Sequence, residues 1–363
     1  MKLLQGRSVF LTGHTGFKGA WLALWLHRLG ASVHGFALAP RTPGLFEEAR
    51  IADLLASHTV GDVRDFAALH GAIKRARPEI VFHLAAQSLV GIGHREPRET
   101  FEINTMGAVN LLEAVRQLGG VRACQIITSD KCYENREWVY AYRESDPMGG
   151  ADPYSASKGC AELVVTAYRR SFFPTEQLAE HGTSLASARA GNVIGGGDWA
   201  EDRIIPDCIR ALEKGESIVV RNPAAIRPWQ HVLEPLAGYL TLATRQMQGG
   251  AEFADAFNFG PATFGHVPVK EIVQRVIAIW GGGNWHAAQL HRAPQPHEAH
   301  FLKLDVTKAT NLLSWKPVYG IDTAISQTVR WYKERSARGR AFAARELCLA
   351  QIAEYEKLSP LVS

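Results

Sequence analysis

Glycines at positions 13, 16 and 19 stand between a short apolar run, Ser8–Leu11, and a helix-patterned stretch that begins at Phe17. A chain that leaves a strand through glycines at intervals of three and passes directly into a helix has few folds open to it. Glycine permits the tight turn and a close backbone approach, while the exposed N–H groups at the helix start attract a pyrophosphate. Gly13-His14-Thr15-Gly16-Phe17-Lys18-Gly19 therefore reads as a dinucleotide loop, with a plain tight turn as the alternative. Its place after the first strand favours the dinucleotide. His14 and Lys18 are unexpected there, one bulky and one charged, in a loop that must admit a pyrophosphate.

Strands and amphipathic helical stretches continue to alternate: Ser32–Phe36, a helix near Asp65–Arg77, Glu79–Leu84, a helix near Phe101–Leu118, Cys124–Thr128, a helix from Pro153, and Ser184–Arg189. This pattern predicts an α/β chain with a doubly wound parallel sheet of Rossmann type. Asp152 before Pro153 fits a helix cap followed by proline in the first turn. Beyond Asn192 the regularity gives way to Gly195-Gly196-Gly197 and to loops containing Pro223, Pro228, Pro294 and Pro296. The expected division is a dinucleotide-binding domain over 1–190, to which the chain can later return, a smaller mixed substrate lobe mainly over 191–340, and a C-terminal helix and tail over 341–363. Ligands of open parallel sheets lie beyond the carboxyl ends of the strands, so the crevice between the lobes is the expected site.

With 363 residues, 46% of them hydrophobic, the chain can bury a large core. Its net charge of +4, from 40 basic and 36 acidic residues, is too small an excess to indicate a nucleic-acid partner. No apolar stretch approaches the roughly 20 residues that span a bilayer, and Met1–Gly6 lacks the apolar run of a signal peptide. No membrane partner and a cytoplasmic location are expected. Five cysteines at irregular spacing, with no CxxC pair, suggest neither a metal site nor a disulfide framework.

Other cofactor contacts are expected at strand ends. Asp62, followed by Val63, could accept the adenine amino group or be an ordinary exposed loop aspartate. Leu84-Ala85-Ala86 would let backbone approach the cofactor, although small residues also serve packing. The second strand ends without the acidic residue that binds ribose hydroxyls of NAD, and nearby Arg41 raises NADP as an option. Tyr154 and Lys158 lie four residues apart, on one helix face. Beside a cationic lysine and an oxidised nicotinamide a phenolate is favoured, so Tyr154 can take a hydroxyl proton while hydride leaves the same carbon. Viewed alone, the two would be a surface pair; after a dinucleotide loop they are the expected redox centre.

At this point the chain resembles the extended short-chain dehydrogenase/reductase superfamily, in which a GxxGxxG loop and a YxxxK pair occur together. Thr12 to Gly19, His83 to Ser88, Ser129 to Lys131, Tyr154 to Lys158 and Asn192 follow its order, and the match spans most of the chain. Within it, GHTGFKG and Thr128-Ser129-Asp130-Lys131-Cys132-Tyr133 resemble the CDP-glucose 4,6-dehydratase family; related dehydratases typically carry Asp-Glu where this chain has Asp130-Lys131. The resemblance implies NAD as cofactor and a catalytic set of Ser129, Asp130, Lys131, Tyr154 and Lys158. Tyr154 would deprotonate the C4 hydroxyl as NAD takes the C4 hydride. Lys131 would remove the C5 proton, and protonated Asp130 would supply the proton for the departing C6 hydroxyl before hydride returns to C6.

Lysine has an ordinary pKa of about 10.4, so Lys131 serves as a base only if its surroundings lower that value. A structural Asp130–Lys131 salt bridge is the alternative. Neighbours on a strand point in opposite directions, so both can reach one sugar only if they lie past its end. Arg227, in Arg227-Pro228-Trp229-Gln230-His231-Val232, resembles the superfamily's arginine against the substrate diphosphate. Asn192 could donate to the same phosphates, and Gln87 and Ser88 sit where sugar hydroxyls should lie. Arg292 and His297 are further candidates in a proline-rich segment that also reads as a surface loop. The expected partner is a nucleotide-sugar, CDP-glucose first, and a homodimer or homotetramer is implied by fold membership. The resemblance also implies a place in deoxysugar synthesis for a lipopolysaccharide O-antigen. An epimerase or reductase of the same fold, and a non-catalytic dinucleotide-sensing protein, are the competing readings.

Overall fold

A computed structural model describes residues 2–261, 266–288, 302–339 and 343–359. Its centre is an all-parallel sheet formed by Ser8–Thr12 (β1), Ser32–Ala37 (β2), Ser57–Val60 (β3), Ile80–His83 (β4), Ala123–Ile127 (β5), Ser184–Ala190 (β6) and a seventh strand, Ala256–Phe259. The order is seventh strand, β6, β5, β4, β1, β2, β3. Alternation along each strand sorts its side chains onto the two faces. Val9, Leu11, Ile80 and Phe82 join Trp21 and Trp25 in one core, whereas Phe10, Val81, Cys124 and Leu185 join Leu69, Leu111 and Leu112 in the other. The doubly wound architecture expected from the strand–helix alternation is thus present.

The helix after the glycine loop, Phe17–Arg28 (α1), buries every residue from Gly19 to Leu26. It is covered by the C-terminal helix Ala344–Leu358, where Trp25 Nε1 donates to Glu356 at 2.9 Å and Arg28 pairs with the same carboxylate. The tail of the chain therefore packs on the dinucleotide-binding body. The strand Ala256–Phe259 pairs with β6, and the almost wholly buried helix Leu233–Met247 packs beneath β5 and β6.

The stretch near Phe101–Leu118 is not one continuous α-helix. It runs as Pro97–Phe101, a π-turn over Glu102–Met106, and then Gly107–Leu118. The widened turn carries Asn104, which is 3% exposed and bonded to Gln87 and Ser157, so the irregularity lies against the site. The smaller lobe is built from short strand pairs, including Val193–Ile194 with Gln230–His231 and Ile226–Pro228 with His266–Pro268, and from helices Ile204–Lys214 and Val269–Trp280. No helix among the described residues is long and apolar enough to cross a membrane.

Candidate active site

The strand order reverses between β1 and β4, which opens a crevice beyond their carboxyl ends. Gly13 leaves β1 at φ +75°, and a Cβ there would lie 2.6 Å from the Ala85 nitrogen. A Cβ on Gly19 would lie 2.1 Å from the Gly13 oxygen. Both positions therefore require glycine, and the loop closes onto α1 and the end of β4. Thr12 Oγ1 accepts from Ala85 N at 3.2 Å and pairs with buried His83 Nδ1 at 2.9 Å, locking the two strand ends together. Gly16 caps α1 without a side chain, and first-turn amides have no acceptor within a helix. This cradle fits the diphosphate of a dinucleotide.

The two unexpected loop residues are accommodated differently. The His14 ring is wholly buried against Gly35 and Phe46, with Nε2 at 2.7 Å from His58 Nδ1. Burial, aided by His58, lowers its pKa to about 4, so the ring is a neutral core group and only its backbone belongs to the loop surface. Lys18 instead turns toward the catalytic end of the sheet, where its Nζ donates to Tyr239 at 3.0 Å. Burial and the charges of Lys158 and Arg203 lower it to about 7, with Asp130 opposing. Thr15 ties the loop to Leu38 O, and Phe17 lies beside Gly195. Asp62 is engaged by the backbone and guanidinium of Arg64, the latter at 2.6 Å, while Val63 is buried against Gly107. Leu84, Ala85 and Ala86 are half-buried along the crevice.

Ser129, Asp130 and Lys131 leave the end of β5 in a single 3-10 turn, Asp130–Cys132, capped by Ser129 Oγ, which accepts from Lys131 N at 3.3 Å. The pair thus lies past the strand, as its proposed joint action on one sugar requires. Asp130 is 2% exposed. Its Oδ1 accepts from Ser129 Oγ at 3.0 Å, whereas buried Oδ2 has no partner among the described residues. Burial raises its pKa, opposed by Lys131, Ser129 and Arg227.

Tyr154 enters from the first turn of the helix Pro153–Ser171, started by Pro153 and capped by Asp152, whose carboxylate accepts from Ser155 N at 3.0 Å. One turn on, Lys158 Nζ donates to Ile127 O at 3.3 Å. Burial lowers Lys158 to about 8 against the pull of Glu162 and Cys132. The favoured phenolate expected from spacing is not the resting state of the chain alone: burial pushes Tyr154 up to about 12, Asp130 adds to this, and Ser129 and Arg203 oppose it.

The family model for GDP-mannose 4,6 dehydratase matches residues 10–328. A curated CDP-glucose 4,6-dehydratase from Salmonella typhimurium is 53% identical over 331 residues, covering 91% of both chains. The chain belongs to the CDP-glucose 4,6-dehydratase family. Among solved structures, a dTDP-glucose 4,6-dehydratase from Streptomyces venezuelae with NAD bound has a TM-score of 0.77 at 21% identity, covering 92% of this chain and 98% of that one. A UDP-glucose 4-epimerase from Thermotoga maritima has a TM-score of 0.74 at 22% identity, covering 90% and 98%. These two likenesses show the fold.

The described substrate-side candidates of this 4,6-dehydratase family member come from separate elements. Arg227 lies in the strand Ile226–Pro228, half-buried and close enough to affect Asp130. Asn192 follows β6 and accepts from Gln230 N through its backbone oxygen at 3.0 Å. Gln87 spends its side chain locally, donating to Thr100 Oγ1 at 2.9 Å and accepting from Leu89 N. Exposed Ser88 accepts from Arg203 at 3.2 Å. Arg292 and His297 lie outside the described residues. Among the described residues no group of three His, Cys, Asp or Glu side chains is arranged to hold a metal ion.

Three features of the site were missed from sequence. Arg203 reaches the crevice from the second lobe, held by Asp198 at 2.8 Å, and affects Tyr154. Asn104 required recognition of a buried polar residue within a helix-patterned run. Glu162, four residues after Lys158, forms a buried ion pair with Arg189 at 2.7 Å and accepts from Thr128 and Ser187. Its spacing was visible, but the strand partners were not.

Proposed function

We propose that the protein removes water from CDP-D-glucose to give CDP-4-dehydro-6-deoxy-D-glucose, with NAD as its cofactor. The observation that carries this reading is Asp130: a buried carboxyl with a raised pKa and one oxygen unpartnered among the described residues, beside Lys131 and hydrogen-bonded to Ser129. A redox pair alone suits an epimerase or reductase; a protonated acid and a neighbouring amine suit elimination. The 53% likeness to the Salmonella typhimurium enzyme supports CDP-glucose as the sugar nucleotide.

NAD, held at the glycine cradle, supplies the acceptor for the C4 hydride, its return to C6, and positive charge beside Tyr154. Lys158 keeps that phenol in place and favours its ionised form, so Tyr154 can take the C4 hydroxyl proton. The resulting ketone acidifies the C5 proton, which Lys131 removes. Asp130 gives its proton to the C6 hydroxyl as water leaves, and Lys131 returns a proton to C5. Arg227 and Asn192 would meet the diphosphate, with Ser88 and Gln87 toward the sugar hydroxyls.

The same proposal includes a cytoplasmic enzyme acting as a homodimer or homotetramer. Phe101, Met106 and Leu163, on neighbouring helical segments, and Phe172, just after one of them, are large exposed apolar side chains, which supports self-association. Sedimentation as a monomer would contradict it. The reaction is tested by incubating the protein with CDP-glucose and NAD in heavy water, with dTDP-glucose and GDP-mannose in parallel. Loss of one water from CDP-glucose with deuterium at C5 is expected. Inversion at C4 without water loss would move the assignment to an epimerase.

A further inference from the structure

The acid and base proposed for elimination share the short turn Asp130–Cys132, whose own bonds are long. Lys131 N donates to Ser129 Oγ at 3.3 Å, Cys132 N to Ser129 O at 3.2 Å and Tyr133 N to Asp130 O at 3.5 Å. Bonds at and beyond the upper end of the normal range hold a turn weakly. The place of Asp130 and Lys131 must therefore be set from the two ends of the turn.

Both ends lead to one buried ion pair. Before the turn, Thr128 Oγ1 donates to Glu162. After it, the Tyr133 hydroxyl accepts from Arg189 at 2.7 Å and donates to Asn258 Oδ1 at 2.8 Å. Glu162 and Arg189 are themselves joined at 2.7 Å. Arg189 and Asn258 stand opposite each other on β6 and the seventh strand, so their side chains leave the same face of the sheet and reach the phenol together. The Tyr133 ring is 1% exposed and stacks on Tyr142, with 5.2 Å between centroids. Backbone bonds extend the junction: Gly149 N donates to Cys132 O at 2.8 Å, and Glu134 N donates to Pro147 O at 2.9 Å. The exit of the turn is thereby paired with the segment that leads into the Pro153–Ser171 helix. That helix has supports of its own, in the Asp152 cap, the bond from Lys158 to Ile127 O, and the bond from Ser187 to Glu162.

The geometry assigns Tyr133 as a positioning residue for the elimination step. Its hydroxyl, gripped by Arg189 and Asn258, holds the Asp130–Lys131 turn at a fixed reach from the Tyr154–Lys158 helix. The inference rests on the dehydratase reading. Tyr133 takes and gives no proton in the reaction and acts only through Asp130 and Lys131. Because the helix is supported independently, loss of this hydroxyl falls on water removal and leaves the preceding oxidation at C4 intact.

Tyr133→Phe deletes the hydroxyl and keeps the stacked ring. Wild type and variant are mixed with NAD and CDP-glucose, with enzyme in excess; reduced cofactor is followed by absorbance and dehydrated sugar by mass spectrometry. Misplacing a catalytic group by about 1 Å costs on the order of a hundredfold in rate, so a smaller shift of the turn should slow water loss by about tenfold or more. C4 oxidation should keep its wild-type rate, so reduced cofactor accumulates in the variant, and C5 exchange with heavy water should slow. Tyr142→Phe removes a neighbouring hydroxyl that is bonded to Arg136 N and Asn135 instead, and should keep the wild-type ratio of the two steps. Equal slowing of both steps in Tyr133→Phe, no slowing of either, or the same selective loss in Tyr142→Phe would overturn the assignment. Should Tyr133→Phe fail to fold, Arg189→Lys takes its place, keeping a cation for Glu162 without the second arm to Tyr133. The same selective loss is expected, and unchanged or evenly reduced rates refute the role. Wild-type dehydration with unaltered ratios in the variants overturns the positioning role alone; no dehydrated product from wild type overturns the dehydratase reading and this role with it.

Discussion

Replacing Glu162 with glutamine removes a charge while nearly conserving volume, from a position where the structure leaves little room for compensation. The carboxylate is 2% exposed and Arg189 is 4% exposed, with 2.7 Å between Oε2 and the guanidinium. Ser187 donates to Oε2 at 2.7 Å and Thr128 donates to Oε1. Burial works against the charge, but Arg189 and the two hydroxyls outweigh it and hold the Glu162 carboxyl below its ordinary pKa. Glu162→Gln strands a buried guanidinium, and breaking a buried pair in this way costs about 3–5 kcal/mol. Truncating Arg98, 92% exposed and paired with Glu102, should cost less than about 1 kcal/mol. The assay is urea denaturation monitored by tryptophan fluorescence, provided the transition is two-state. A Glu162→Gln/Arg189→Met double variant should be less destabilised than the sum of its single variants. The charge also supports the Lys158 ammonium one turn away, against burial. Its loss should move the alkaline limb of the activity profile to lower pH. A cost for Glu162→Gln below about 1 kcal/mol, together with simple additivity of the two substitutions, would refute the buried-pair argument.

Asp130→Asn should retain C4 oxidation but slow water loss by about a hundredfold or more, read as accumulation of the unreduced 4-keto hexose; equal loss of both steps would remove its role as acid. Lys131→Ala should bind NAD as wild type does yet fail to exchange the C5 proton with heavy water. Unchanged exchange would eliminate Lys131 as the base. Gly13→Ala places a Cβ in a left-handed conformation costing about 1–2 kcal/mol and within 2.6 Å of Ala85 N, so NAD affinity measured by calorimetry should fall before substrate is added. Burial raises Glu234 from 4.5 to about 7, against hydrogen bonds from Val318, Tyr319 and Tyr355. Because the folded state retains the proton longer, this group contributes stability below pH 4.5 that is lost as pH rises toward about 7. Wild-type stability relative to Glu234→Gln should decline by about 3 kcal/mol across that interval, measured by denaturation at each pH; a flat difference would contradict it.

The parts of the fold most legible in the sequence are those governed by local repetition. Short apolar strands alternating with helices disclosed the sheet, and Asp152-Pro153 disclosed a helix start that is present with its cap. Gly13 and Gly19 were legible because a backbone approach admits no side chain. What escaped depended on partners distant in sequence. The packing of His14 against Gly35 and Phe46 could not be read from a loop motif, so its bulk looked like an obstacle to a pyrophosphate when its ring is directed into the core. Arg203 was hidden for the same reason: it reaches Ser88 across 115 positions of chain. The π-turn at Asn104 broke a helix that apolar spacing had made continuous.

The proposed acid and base at 130 and 131 illustrate how much the proposed chemistry depends on where a strand stops. Had β5 continued through Lys131, its alternation would have sent one side chain of the pair to each face of the sheet. The 3-10 turn instead keeps both at the strand's carboxyl end, and Ser129 closes that turn while donating to Asp130. Lys158 approaches the same strand end from the helix side, fixed to Ile127 O, while Glu162 holds Thr128 one residue later. The groups proposed for redox and elimination are consequently fastened to consecutive residues at and just past the end of one strand. Their separation is set by the sheet–helix contact rather than by two independent loops, so the proposed reaction would present one sugar with a fixed set of groups for proton removal, elimination and return.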